Sequence, residues 1–192
     1  MKPILSLLLL LLLSSNLLFA QNEYEPSAAN PFGLANPLAP PELKDYQPLI
    51  GICDCKSFSR NQDGSWAEAV AMTWEFKYIM NGMAVQDQTL KVDGKHSGSI
   101  RQYSSDSSAW YVHYFSSAAP SPSLGTWKGG MEGDEIVLYK PQKAPNGTDG
   151  MFKITFSEIS AAGFNWLGQW VSMDESVKFP TWKIECTKQK TS

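Results

Sequence analysis

Few residues in this sequence are equipped to do chemistry. They fall into cysteines, histidines, scattered carboxylates and a large set of aromatics. The thiols are Cys53, Cys55 and Cys186. Three thiols can hold a metal or form a disulfide, and spacing helps to decide between these. No Cys-x-x-Cys pair and no Cys-x-x-Cys-His run occurs, so neither a zinc site nor attached haem is indicated. In an exported chain the disulfide is favoured. The histidines are His96 and His113. His113, between Tyr111 and Phe115, has the side chain for an axial haem ligand. On a mixed strand face, however, a histidine is expected to be hydrogen-bonded or exposed. No Gly-x-Ser-x-Gly elbow is present. Glu75, Asp87 and Asp134 are candidate acids or bases. Yet Glu75 alternates with aromatics and should face solvent, and Asp134 sits in a turn signal. No catalytic residue, metal ligand or cofactor is therefore expected.

The aromatics are the positive signal, with 7 Trp, 7 Tyr and 9 Phe. Trp74, Phe76 and Tyr78 alternate with Glu75 and Lys77, and charge marks the outer face. A strand sends successive side chains to opposite faces, so the rings should point inward. Asn81-Gly82 then reads as a hairpin turn, and Val85 to Val92 as the return strand. The same parity argument turns Trp110, Val112 and Tyr114 inward. It does so for Phe152, Ile154 and Phe156, for Phe164, Trp166 and Trp170, and for Trp182, Ile184 and Cys186. About ten short strands result, joined mostly by tight turns. That pattern predicts an all-β fold, a single antiparallel up-and-down barrel whose closure leaves no sheet edge exposed.

Before the strands come two segments of different character. Residues 1–20 carry Lys2, seven leucines from Leu7 to Leu13, and Ala20 at the end, which is the anatomy of a secretory signal peptide. The apolar run is short for a membrane span and is broken by Ser14, Ser15 and Asn16. Residues 21–41 are rich in Pro, Ala and Asn with no sustained period, and read as a flexible leader. A short helical turn over residues 41–46 can cap the domain that occupies 42–192, since Pro suits a first turn. The net charge is −3, becoming −4 once Lys2 is removed, and Arg60 and Arg101 are the only arginines. A nucleic-acid partner is excluded on that charge. A secreted or periplasmic protein without a membrane anchor in its mature chain is expected. Its oligomeric state is left open.

Three stretches carry a resemblance: Trp74-Glu75-Phe76-Lys77-Tyr78-Ile79-Met80-Asn81-Gly82 with Ala84-Val85-Gln86-Asp87, Ile100-Arg101-Gln102-Tyr103 with Trp110, and Met131-Glu132-Gly133-Asp134-Glu135-Ile136-Val137-Leu138. In this order they resemble a lipocalin-like, calycin-type bacterial family, the domain of unknown function fifteen-seventy-nine. The resemblance implies a calycin-type barrel and brings no reaction or ligand with it. Lipocalin-like barrels often begin with Gly-x-Trp; here the place reads Gly51-Ile52-Cys53, so the tryptophan plug of the floor is replaced or relocated.

Small barrels either fill their interior or hold one small ligand. The expected function is the second: a binding module for a small apolar or aromatic molecule. Trp74, Phe76, Gln86, Trp110, Tyr114, Trp166 and Trp170 are the expected binding residues, with Gln86 and Gln88 turned inward from the return strand. Arg101 and Tyr103 can offer a polar group if their parity faces in. The alternative is a filled, non-catalytic barrel acting through its surface. Closure also makes the first and last strands neighbours. Cys53 and Cys55 share a parity, so either can meet Cys186; Cys53–Cys186 is preferred, with Cys55–Cys186 as the alternative.

Overall fold

In the computed structural model, which describes residues 22–190, ten strands follow one another around a closed antiparallel barrel. The segment read as a signal peptide lies outside the described residues. Strands β1 (Gly51–Ser59), β2 (Val70–Ile79), β3 (Ala84–Lys91), β4 (Ser97–Ser104) and β5 (Ala109–Ser116) form one run of the barrel. Strands β6 (Gly125–Glu132), β7 (Glu135–Pro141), β8 (Gly150–Ser160), β9 (Gly163–Ser172) and β10 (Lys178–Lys188) complete it. Each strand pairs with its sequence neighbours, and β1 pairs with β10. Among the described residues no helix is long and apolar enough to cross a membrane.

The first hairpin shows how local sequence sets the interior. Met80, Asn81 and Gly82 all take positive φ, at 56°, 52° and 77°. Asn and Gly carry that backbone at low cost. The turn locks the register as Tyr78 opposite Val85, Phe76 opposite Asp87 and Trp74 opposite Thr89. Directly opposed residues share a face. Val85, Asp87 and Thr89 therefore point inward with the rings. Gln86 and Gln88, expected inside, lie on the outer face, a correction of one residue in parity.

One end of the barrel is closed by a 3-10 helix, Pro41–Leu49. Its proline start was expected, but it runs three residues beyond Tyr46. The reason is its period. A 3-10 helix has three residues per turn, so Leu43, Tyr46 and Leu49 stack on one side. All three are fully buried in the core. They cover the end where the strands are joined by short turns. The opposite end, ringed by the longer loops 60–69, 117–124 and 142–149, is the open mouth.

The leader was expected to be flexible, yet residues 22–40 make specific contacts with the β2–β3 turn. The Tyr78 N–H donates to the Phe32 carbonyl at 2.8 Å and the Asn36 N–H to that of Gly82 at 3.1 Å. Asn81 accepts from the Tyr24 N–H at 3.1 Å, and its own N–H donates to the Glu25 carboxylate. The leader also pairs with itself, the Leu34 N–H donating to the Tyr24 carbonyl at 2.9 Å, and the polar groups of the turn supply further partners.

The disulfide joins Cys55 and Cys186, with Cα atoms 4.2 Å apart; Cys53 is a buried free thiol. The preferred Cys53–Cys186 pairing is thus corrected. Parity alone does not separate the two cysteines, but register does. Strand β10 runs two residues past Cys186, which sets Cys53 opposite Lys188 and Cys55 opposite Cys186.

Candidate binding cavity

The barrel interior divides into a packed floor and an open chamber. In the floor, Tyr46 meets Trp110 edge to face at 4.7 Å and Phe156 at 6.3 Å. Phe76 stands 5.2 Å from Trp74 and 5.9 Å from Phe164. Phe76 and Trp110 are fully buried here, so these two expected ligand-binding residues pack the floor and do not line the chamber. The Trp110 indole N–H reaches the helix and donates to Asp45 at 2.9 Å. Burial raises the Asp45 carboxyl above its usual range, and the Trp110 hydrogen bond works against that. Tyr46 and Trp110 together plug the closed end of the barrel.

Above the floor lies a cavity of about 250 Å3. Of the expected residues, Trp74, Tyr114 and Trp166 line it; Trp127, Phe152 and Trp182 do so as well. Trp166 and Trp182 meet at 5.0 Å, and Tyr114 and Trp127 at 5.9 Å, so the rings brace one another. Trp170 belongs to the inward face but does not line the cavity. Its ring lies over Gly150, where a Cβ would approach within 2.4 Å of it, and its N–H donates to the Gln142 carbonyl at 2.9 Å. Gln86 is outside. His113 also faces outward, with Nδ1 3.0 Å from the Thr126 hydroxyl.

At the base of the cavity sits a polar centre that sequence parity left unassigned. Asp87 accepts from the Trp74 indole N–H at 2.8 Å and pairs with the Arg101 guanidinium through Nη1. Both side chains are 3% exposed. The guanidinium lies 5.0 Å from the Phe76 ring centre and 5.1 Å from that of Tyr46, within cation–π range of both. Burial lowers the pKa of the guanidinium below the ordinary arginine value. Arg101 Nε and the Tyr46 hydroxyl have no partner among the described residues. A stripe of hydroxyls climbs from this pair along β3 and β4, where Thr89 and Ser97 meet at 2.8 Å beside Ser99.

The third polar group belongs to the mouth side. Lys140 follows Ile136 and Leu138 on the inward face of β7, and its Nζ stands 4.3 Å from the Trp127 ring centre. Burial draws its pKa below the ordinary lysine value. The Trp127 indole N–H is buried and unpartnered among the described residues.

Two signals in the sequence point to these groups. Counting outward from the Asn81-Gly82 turn places Asp87 beside Phe76. Arg101, one of only two arginines, lies at the inward parity of the next strand. The assumption that charge marks the outer face left Asp87 without a face and the parity of Arg101 open; it fails where a carboxylate has a guanidinium and an indole N–H to satisfy it. The chain matches no family model, and no curated protein matches it.

Proposed function

We propose that this protein is an exported binding protein that holds one small, apolar or aromatic molecule inside its barrel. The observation that carries this reading is the 250 Å3 cavity walled by indole and phenyl rings. An apolar cavity of about 150 Å3 is large enough to take benzene, so this one suits a substituted single ring or a short branched chain. The wall indoles are held by the protein itself: Trp74 on Asp87 and Trp182 on the Ser57 hydroxyl at 2.7 Å. Their faces are thereby preorganised, which lowers the entropic cost of binding. The unfilled volume favours this reading over a barrel that works only through its surface. Export fits the apolar segment at the start of the sequence and the Cys55–Cys186 bond, which an oxidising compartment preserves.

Tryptophan fluorescence tests it. Titration with toluene, 3-phenylpropanol and 3-phenylpropionate should give saturable quenching at one molecule per chain. Trp166→Ala should weaken that response about tenfold with the fold retained, through loss of one aromatic wall. Linear, non-saturating responses to all three compounds would overturn the reading.

A further inference from the structure

The charges lining the cavity do not balance. Two cations face it, Arg101 and Lys140, against one carboxylate, Asp87. Arg101 and Asp87 satisfy each other at the base. None of the ion pairs among the described residues includes Lys140. A cation drawn partly out of water without a counter-charge costs free energy, and such a group is usually paired. Here the neighbour is the Trp127 ring, which attracts the ammonium through its face but leaves the charge uncancelled. An unpaired ammonium in the wall of an otherwise apolar cavity calls for an anionic oxygen.

Resting on the interior-binding reading, we infer that the molecule held in this cavity is a small organic monoanion. Its aromatic or branched aliphatic body fills the chamber, and its carboxylate is held by Lys140. The base of the cavity does not take the carboxylate, because the Arg101 guanidinium already faces Asp87, and a second anion there would meet that carboxylate. The polar groups therefore set an orientation: acid group towards Lys140, body over Trp74, Trp166 and Ile154. A charge-assisted hydrogen bond from the ammonium gives specificity for an acid over its neutral isostere. The lowered pKa of the Lys140 amine accords with a cation awaiting a partner; a bound carboxylate reverses the direction of that shift.

The test uses matched pairs: 3-phenylpropionate against 3-phenylpropanol, and 4-methylpentanoate against 4-methylpentanol. Each is titrated by calorimetry into the wild-type protein and Lys140→Met. Methionine keeps most of the length of the lysine stem without the charge. The wild-type protein should bind an acid at least about tenfold more tightly than its alcohol. Lys140→Met should bring the two within about twofold by weakening the acid alone. Equal wild-type affinities for acid and alcohol would overturn the inference while leaving interior binding intact. So would a preference that survives Lys140→Met. Binding of neither member of either pair would overturn the interior-binding reading and this inference with it.

Discussion

Among single residues, Asp87 and Arg101 beneath the cavity depend on each other most. Each partner is buried, and each is tolerable only because of the other and of the Trp74 indole N–H. Removing one should therefore cost more than removing both. Asp87→Ala is expected to destabilise the fold by about 3–5 kcal/mol, because it strands a guanidinium among Phe76, Tyr46 and Phe156. The double variant Asp87→Leu with Arg101→Met should recover at least half of that loss, since apolar replacement of a buried pair is often close to neutral. Urea denaturation of the two variants checks this; a double variant no more stable than the single one would mean the pair contributes more than mutual neutralisation. Cys53 offers a second residue-scale test. Its thiol is buried and its pKa is raised chiefly by burial, so it should resist alkylation in the folded protein and react after denaturation without reductant.

At the scale of elements, the strands were legible and the exceptions have physical causes. Alternation of rings with Glu75 and Lys77, and Asn81-Gly82 between two runs, carried the β2–β3 hairpin and its inward rings. The same reasoning misplaced Gln86, because it counted faces from composition where the turn sets the register. It left the cysteine pairing open, because register across β1 and β10 depends on how far β10 continues, and that is a tertiary outcome. The 3-10 helix is half visible in the sequence: Pro41 marks its start, whereas the spacing of Leu43, Tyr46 and Leu49 by three carries its full length. That element should be the stopper of the floor. Tyr46→Ala removes a fully buried ring from Trp110 and Phe156 and is expected to cost about 3–5 kcal/mol. The β9–β10 turn has its own pH dependence. Hydrogen bonds from Ser172 and Ser176 lower the Asp174 pKa to about 2 from 3.8. A depressed carboxylate stabilises the fold above its unfolded value and loses that contribution as pH falls through the folded one. Amide exchange at Ser176 and Val177, whose N–H groups bond to Asp174 and Ser172, should therefore lose protection between pH 4 and pH 2. Constant protection across that range would remove Asp174 as the organiser of the turn.

At the scale of the whole molecule, closure and hollowness are linked. The Cys55–Cys186 bond joins the first strand to the last across 131 residues of sequence. Cross-linking so long a loop restricts the unfolded chain by an amount worth about 4–5 kcal/mol in the loop-entropy picture. A barrel stapled in this way can leave part of its interior unpacked and still fold. Cys55→Ser is accordingly expected to lower stability by about 2–5 kcal/mol, whereas Cys53→Ser should leave the disulfide intact on non-reducing peptide mapping. The floor, closed by the 3-10 helix, and the mouth, ringed by long loops, give the cavity one sealed and one open end. The central claim is that a small molecule occupies this chamber. It is tested most directly by intermolecular nuclear Overhauser effects in a solution of the protein with 3-phenylpropionate. Cross-peaks are expected from the phenyl protons to the methyl groups of Val112, Leu138, Ile154 and Ile184 and to the Trp166 ring, with none to the outward-facing Gln86 and Phe115. Contacts confined to outer-face residues, or no contacts at saturating ligand, would contradict it.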